Sequence, residues 1–210
     1  MAPSEPDSDS KRLAGQHEYV FSCPSSFNLS FAVWPVDDYT QKGALGKIRV
    51  RLKEGNIKAV KNLSGYQTFS GLPDDTYTLS VEPELYFPEE RKVDTSTYSG
   101  SKEPVIEIPL KPRPLYPFPD RATLLRGMLA AENGLPAGIT IKATAKEPSK
   151  VTEMEVRGIP DEKGEFVLYF RGPVKGKTEV TLEIKGEGVE KTLQAVVEEG
   201  HNTFVGVISI

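Results

Sequence analysis

The stretch Lys111-Pro112-Arg113-Pro114-Leu115-Tyr116-Pro117-Phe118-Pro119 contains four prolines in nine residues and lies near the middle of the 210-residue chain. Proline fixes φ and has no backbone N–H, so this stretch favours extended polyproline geometry over an inner strand of a sheet. On each side lie about 85 to 95 residues with strand-like patterning. We therefore predict a stiff spacer at residues 111–120, between β domains at 19–110 and 121–210. The residues that define the spacer are Pro112, Pro114, Tyr116, Pro117, Phe118 and Pro119.

Composition narrows the class of protein. With 38% hydrophobic residues, 27% charged residues and a net charge of -4, the chain resembles a turn-rich globular protein. Opposite charges are interspersed in both halves, which argues against a nucleic-acid partner. No stretch approaches the roughly 18 apolar residues of a membrane span, so we expect no membrane partner. Cys23 is the only cysteine, which excludes an intramolecular disulfide.

Residues 1–18 combine Ser, Pro, Asp, Glu and Lys with little to bury, and we predict a disordered tail there. The first ten residues are acidic and polar, without the apolar core of a secretory signal. The expectation is therefore a cytoplasmic protein, with export by a specialised route left open.

Alternation of apolar and polar residues predicts strands throughout the rest of the chain. The clearest case is Lys47 to Lys53, where Ile48, Val50 and Leu52 form one face and four cations form the other. Trp34-Pro35 is expected to end or bend the first strand. Turn signals recur about every eight to twelve residues and no segment sustains a helical period, which is typical of a sandwich or barrel.

One stretch resembles a known family. Gly65-Tyr66-x-x-Phe69-x-Gly71-Leu72-Pro73-x-Asp75-x-Tyr77-x-Leu79 is similar to the signature of carboxypeptidase regulatory-like domains, which belong to the transthyretin-like (prealbumin-like) sandwiches. A weaker copy follows in Gly164-Glu165-Phe166 and in Gly176 to Leu182, with Val180 in place of the tyrosine. The resemblance implies two tandem seven-stranded immunoglobulin-like/prealbumin-like sandwiches. Its signature turn comprises Gly71, Leu72, Pro73, Asp75 and Tyr77, with Asp75 where the family usually has glycine.

Enzymes of related folds provide two templates. The hydroxyisourate hydrolases need several histidines and a C-terminal Tyr-Arg-Gly-Ser, whereas this chain has two histidines, His17 and His201, and ends in Ser209-Ile210. The intradiol dioxygenases hold iron with two tyrosines and two histidines, but His17 lies at the edge of the predicted tail. The stretch Gly172 to Thr178 is one residue short of a phosphate-binding loop and precedes a strand instead of a helix. We therefore predict no catalytic, cofactor-binding or metal-binding residues and no cofactor.

Three features suggest binding surfaces. The basic strand face would attract an acidic partner, although solvated edge protection explains it as well; its residues are Lys47, Arg49, Arg51 and Lys53. Exposed aromatic side chains could contact a carbohydrate or a peptide; the candidates are Trp34, Tyr39, Tyr86 and Tyr98. The stretch from Phe204 to Ile210 has apolar groups on both faces, so this strand is either covered on both sides or docks on a partner chain.

The function predicted from these features is a non-catalytic binding or scaffolding protein, as a structural or adaptor component of a larger protein assembly. The alternative is a carbohydrate- or peptide-recognition module accessory to an enzyme. A metal-dependent hydrolase or dioxygenase is the third hypothesis. A protein partner is expected first and a carbohydrate partner second. Tyr116 and Phe118 are further predicted to pack into a crevice between the two domains.

Overall fold

The computed structural model describes residues 28–132, 134–146, 153–172 and 174–210. The predicted tail at 1–18, the start of the first predicted domain at 19–27 and Cys23 lie outside the described residues. Within the described part the chain forms fifteen strands, two short 3-10 helices and no α-helix. The prediction of an all-β protein is therefore confirmed.

The first half, residues 28–110, contains eight strands among its described residues. They are β1 (Leu29–Asp37), β2 (Ile48–Leu52), β3 (Ile57–Lys58), β4 (Val60–Lys61), β5 (Gln67–Ser70), β6 (Thr76–Pro83), β7 (Glu89–Asp94) and β8 (Val105–Leu110). One sheet has the order β4-β5-β1-β8 and the other the order β3-β2-β6-β7. The 3-10 helices Glu54–Asn56 and Thr95–Tyr98 lie in the connections.

The second half, residues 121–210, contains seven strands in its described part. They are β9 (Leu124–Ala130), β10 (Thr140–Lys146), β11 (Glu153–Gly158), β12 (Glu165–Tyr169), β13 (Lys177–Gly186), β14 (Val189–Glu198) and β15 (Asn202–Ser209). The sheets have the orders β12-β9-β15 and β11-β10-β13-β14.

The two halves share one strand order. The first long strand of each half pairs in parallel with the last strand of that half, β1 with β8 and β9 with β15. On its other side it pairs antiparallel, β1 with β5 and β9 with β12. In the second sheet of the first half, β2 pairs with β6, and β6 pairs with the edge strand β7. The second half repeats this arrangement, since β10 pairs with β13, and β13 pairs with the edge strand β14. The first half differs by its two-residue strands β3 and β4.

Each half has its own hydrophobic core, because the strands place alternate residues on opposite faces of a sheet. The core of the first half draws side chains from both of its sheets, including Phe31, Leu52, Leu79, Ile108 and Leu110. The core of the second half does the same, with Leu125, Ile141, Phe166, Leu182 and Ile208. A smaller cluster, Ala122, Leu124, Val167 and Tyr169, packs against Tyr39 and Phe118.

Of the two expectations for Trp34-Pro35, that it ends the first strand is wrong, since β1 continues to Asp37. Pro35 is tolerated because the pairing of β1 with β5 does not extend beyond Val33 and Gln67. The Ala32 N–H faces β8, donating to the carbonyl of Pro104; by alternation, position 35 faces the other side. A proline there removes no ladder hydrogen bond.

The proline-rich stretch is fastened to the first half over part of its length. Phe87 N donates to the carbonyl of Lys111 at 2.9 Å, and Arg113 N donates to the carbonyl of Leu85 at 3.0 Å. Pro112 and Pro114, on either side of Arg113, are buried. Their lack of a backbone N–H does not disturb the pairing, because the hydrogen bonds use the alternate residues Lys111 and Arg113. Tyr116 belongs to the core of the first half.

Candidate functional site

The basic strand face is largely neutralised by its neighbours. Val50 and Leu52 are buried, as the alternation predicts. On the outer face, Arg51 Nη2 lies 2.5 Å from Glu82 Oε1 and Arg49 Nε lies 3.8 Å from Glu82 Oε2. Lys53 Nζ lies 2.6 Å from Glu90 Oε1. Three of the four cations of the candidate basic face, Lys47, Arg49, Arg51 and Lys53, therefore have acidic partners on β6 and β7. The sequence shows the alternation but not the strand pairing that brings Glu82 and Glu90 there.

The four candidate aromatic residues do not converge. Tyr86 is fully buried, so its prediction as an exposed contact is wrong. Its hydroxyl accepts a hydrogen bond from Leu45 N at 2.8 Å, and burial raises its pKa to about 12. Trp34 is half-buried and packs on Tyr66 with ring centroids 4.6 Å apart.

Tyr98 lies beside the signature turn, at one end of the first half. The two line a cavity of about 680 Å³, together with residues at the start of β1; its lining residues are Asn28, Leu29, Ser30, Gly71, Leu72, Pro73, Asp74, Thr95, Tyr98, Ser99, Gly100 and Ser101. This cavity therefore brings together two features that the sequence identified separately.

Hydrogen bonds hold the signature turn in place. Gly71 has φ of +67°, which favours glycine. Leu72 N donates to Ser30 Oγ at 2.9 Å, and Thr95 Oγ1 donates to the carbonyl of Pro73 at 2.9 Å. The hydroxyl of Tyr77 donates to the same carbonyl at 3.3 Å. Asp75 N donates to Thr95 Oγ1 at 2.9 Å, so the turn forms with aspartate at the position where the resembling family has glycine.

Aromatic and acidic residues connect the two halves. Tyr39 packs edge-on against Phe118 and Tyr169, with centroids 5.1 and 5.6 Å apart. Asp37 is fully buried and accepts hydrogen bonds from the hydroxyl of Tyr116 and from Tyr39 N. Burial, followed by the hydrogen bond to Asp37, raises the pKa of Tyr116. A fully buried carboxylate with these donors fixes the turn after β1 against the proline-rich stretch.

Further polar contacts extend this junction. Asp38 accepts a hydrogen bond from the hydroxyl of Tyr169 at 2.5 Å and lies 3.2 Å from Arg171 Nη2. Burial is the main cause of the raised pKa of Tyr169, and the hydrogen bond to Asp38 adds to it. Arg113 Nη2 lies 2.7 Å from Glu162 Oε1. Asp37 ends β1 and Asp38 begins the turn that follows, and sequence reasoning missed that both residues hold the junction.

The outer face of the sheet β12-β9-β15 is covered at one end only. Arg126 donates from Nη1 to the carbonyl of Pro114 at 2.6 Å, and its guanidinium lies over Phe118, 5.6 Å from the ring centroid. Next to it on β15, Phe204 pairs with Arg126, and Val207 pairs with Met128. Phe204 is 66% exposed and Val207 is 62% exposed. We call these two side chains and the free edge of their strand the β15 surface.

A bulge places both apolar side chains on one face. Val205 and Gly206 together lie opposite Gly127, since Phe204 pairs with Arg126 and Val207 with Met128. Gly206 has φ of +84°, which suits a bulge residue. Of the two alternatives for this stretch, the structure leaves its outer side chains uncovered within the described residues.

The remaining residues considered for phosphate or metal binding do not lie together in the described part of the chain. Lys177 begins strand β13, so the stretch resembling a phosphate-binding loop leads into a strand; Pro173 within it lies outside the described residues. His201 lies in a turn with Nδ1 2.8 Å from the carbonyl oxygen of Glu199, and His17 lies outside the described residues. The described part of the chain contains no group of three or more His, Cys, Asp or Glu side chains placed to hold a metal ion.

Comparisons with known proteins give few matches. No family model matches the chain, and no curated protein matches it. Among solved structures, the Bacillus anthracis TIE protein matches 87% of this chain and 34% of its own, at 16% identity and a TM-score of 0.28. A leucine-rich repeat protein from Bacteroides thetaiotaomicron matches 89% of this chain and 26% of its own, at 12% identity and a TM-score of 0.26. The chain thus spans about a third or less of these structures, and the likeness assigns no function.

Among the described residues, no helix has the length and apolarity needed to cross a membrane.

Proposed function

We propose that this protein is a non-catalytic binding or scaffolding component of a larger protein assembly. In this proposal each half is a transthyretin-like sandwich of the carboxypeptidase regulatory-like type, and the proline-rich stretch is the spacer between them. The shared strand order of the two halves supports the tandem arrangement. The parallel pairing of the first long strand with the last one in each half supports it further.

The observation that carries the binding role is the β15 surface. Phe204 and Val207 are more than half exposed, and they are neighbours on one face of an edge strand. Exposed apolar side chains beside unpaired backbone groups are features of surfaces that bind another polypeptide. Leu115 is 85% exposed and follows Pro114, whose carbonyl is bound by Arg126. We therefore place the protein-binding surface on the outer face of the sheet β12-β9-β15.

Cross-linking in native lysate tests this proposal. The wild-type protein should elute above its monomer mass of 23.1 kDa, with cross-links from Ser209 or Lys191 at the β15 end to another polypeptide. Phe204→Lys should reduce those cross-links and the high-mass fraction. Leu63→Lys is the matched control, because Leu63 is fully exposed in a loop of the first half. A wild-type protein that elutes as a monomer without β15 cross-links would sink the proposal.

A second function is favoured by the cavity that Tyr98 and the signature turn line together. A half-buried aromatic ring beside hydroxyl, amide and backbone groups suits a carbohydrate or a peptide segment. Isothermal titration with oligosaccharides and with short peptides tests it, comparing wild type with Tyr98→Ala and Tyr98→Phe. Binding that is lost in Tyr98→Ala and kept in Tyr98→Phe supports this function. Silence on a glycan and peptide array counts against it.

A further inference from the structure

We infer that the partner at the β15 surface is a second copy of this chain, with β15 of one copy lying antiparallel to β15 of the other across a twofold axis. This inference rests on the proposed function, because it names the partner of the same surface. In a twofold contact each copy uses the same patch. A strand that pairs with its own copy in this way must run antiparallel to it.

The charges along the edge strands favour self-pairing of β15. The edge strands β3 and β4 contain Lys58 and Lys61 respectively, and β8 contains Glu107 and Pro109. Strands β7, β11 and β14 each contain charges of both signs, and β12 begins with Glu165. Among the edge strands of the described residues, β15 has neither a charged residue nor a proline. It can therefore meet its own copy without like-charge repulsion, which opposes pairing when equal charges lie opposite each other.

The backbone of β15 has one free side. Toward β9, the carbonyl of His201 accepts from Leu124 N, and Ile210 N donates to the carbonyl of Ala130. Because successive peptide groups in a strand point to opposite sides, the peptide groups of Phe204 and Val207 face away from β9. At one end of this free side, Lys191 Nζ already donates to the carbonyl of Ser209 at 2.6 Å. The part available for pairing is therefore residues 202–207.

The contact would extend an interface that the chain already forms. Tyr39 and Phe118 cover the end of the outer face that contains Leu124 and Tyr169. Arg126 on β9 contacts the proline-rich stretch and is the pairing partner of Phe204, so the covered region ends next to the β15 surface. Pairing of two β15 strands would join the three-stranded sheets into one six-stranded sheet. It would also bring two copies each of Phe204 and Val207 together on one face, which removes apolar surface from water.

Sedimentation velocity on the purified full chain tests this inference, with Val207→Lys and Val60→Lys as the variant pair. Val207 and Val60 are 62% and 69% exposed and lie on edge strands, so neither substitution removes a core side chain. Wild type should dimerise with increasing concentration. Val207→Lys should weaken the dimer at least about tenfold in Kd, whereas Val60→Lys should leave it unchanged. Circular dichroism verifies that both variants are folded, and Phe204→Ser replaces Val207→Lys if that variant unfolds.

Two outcomes overturn the inference. One is a wild-type protein that stays monomeric up to about 1 mM, and the other is a dimer that Val207→Lys and Phe204→Ser leave unchanged. A monomeric purified protein whose β15 surface still cross-links to a different polypeptide in lysate overturns the self-pairing alone and leaves the proposed function standing. Monomeric behaviour in both settings overturns both.

Discussion

Strands β8 and β15 occupy the same place in the two halves, yet their free edges differ. Each is the last strand of its half and lies parallel to the first long strand. On β8 the outward positions are Val105, Glu107 and Pro109, and Arg91 Nη1 lies 3.5 Å from the carbonyl of Glu107. On β15 the outward positions include Phe204 and Val207, and within the described part of the chain only the carbonyl of Ser209 is bound from outside its sheet, by Lys191.

The two edges differ in the features that protect an edge strand from pairing with another strand. A charged side chain, a proline and a bulge are among the usual means of protecting an edge strand, and β8 has the first two, in Glu107 and Pro109. Strand β15 has the bulge, but neither a charged residue nor a proline. Shared topology therefore does not imply shared surface chemistry, and the outward positions distinguish the two halves more clearly than their cores do.

The largest expected effect tests whether the two strands are equivalent on their inner faces. Ile108 on β8 and Ile208 on β15 are 4% and 6% exposed and lie in the cores of their halves. Ile108→Ala and Ile208→Ala should each lower the free energy of unfolding by about 2–5 kcal/mol. Urea unfolding followed by circular dichroism measures the loss. A loss below about 1 kcal/mol for only one of the two would show that β8 and β15 are not equivalent on their inner faces.

Inner faces were the part of this fold that the sequence predicted well. Period-two alternation in Ile48, Val50 and Leu52, and in Val180, Leu182 and Ile184, requires one buried face, and all but the half-buried Ile48 are buried. The turn at Gly71 and Leu72 was also predictable, because glycine and proline restrict the backbone locally.

Outward faces could not be predicted in the same way, because they depend on strand pairing between distant residues. The partners of Arg49 and Arg51 lie on β6, and the distance along the chain to Glu82 hides that pairing. The sequence predicts Tyr86 as an exposed contact, but the residue is fully buried and forms a bridge with Pro112. Phe204 is exposed because Tyr39 and Phe118 cover only the other end of this face. The alternation of residues within β15 does not predict how far that cover extends.

Alkaline pH should lower the stability of the first half through the buried hydroxyl of Tyr86. Burial raises the pKa of Tyr86 to about 12, against about 10 in the unfolded chain. The protonated hydroxyl therefore contributes stability that is fully present below pH 10 and is lost as the pH rises from 10 to about 12. The first half should lose stability in this window, as reported by the fluorescence of Trp34, the single tryptophan of the chain.

The variant Tyr86→Phe separates this titration from general alkaline damage. It should flatten the dependence of the unfolding free energy on pH between 10 and 12. Between pH 7 and 9 the slopes of wild type and variant should coincide, which serves as the internal control. An unchanged slope above pH 10 would show that Tyr86 does not contribute to alkaline unfolding.

A third and smaller effect concerns the second sheet of each half, where the halves do share an outward feature. Arg49 lies opposite Glu82 on β2 and β6, and Lys142 lies opposite Glu183 on β10 and β13. The closest ion-pair distances within these two pairs are 3.8 and 3.3 Å. Arg49→Ala and Lys142→Ala should each cost no more than about 1 kcal/mol, since both pairs are at least partly open to solvent, which screens them. Thermal unfolding in low and high salt measures this, and a loss above about 2 kcal/mol for either variant would show that its pair is more than a surface contact.

The smallest effect on folding is expected from removing the protection of β8. Glu107 and Pro109 are exposed, so the double variant Glu107→Val with Pro109→Val should change the free energy of unfolding by no more than about 0.5 kcal/mol. Its effect should instead appear as association, because β8 then offers apolar side chains beside an unblocked edge, as β15 does. Light scattering should show concentration-dependent assembly beyond that of wild type, and Glu103→Val, an exposed change just before β8, should show none. If the double variant scatters as wild type does, the charge and the proline are not what keeps β8 unpaired, and the contact of Arg91 with the carbonyl of Glu107 is the protection that remains.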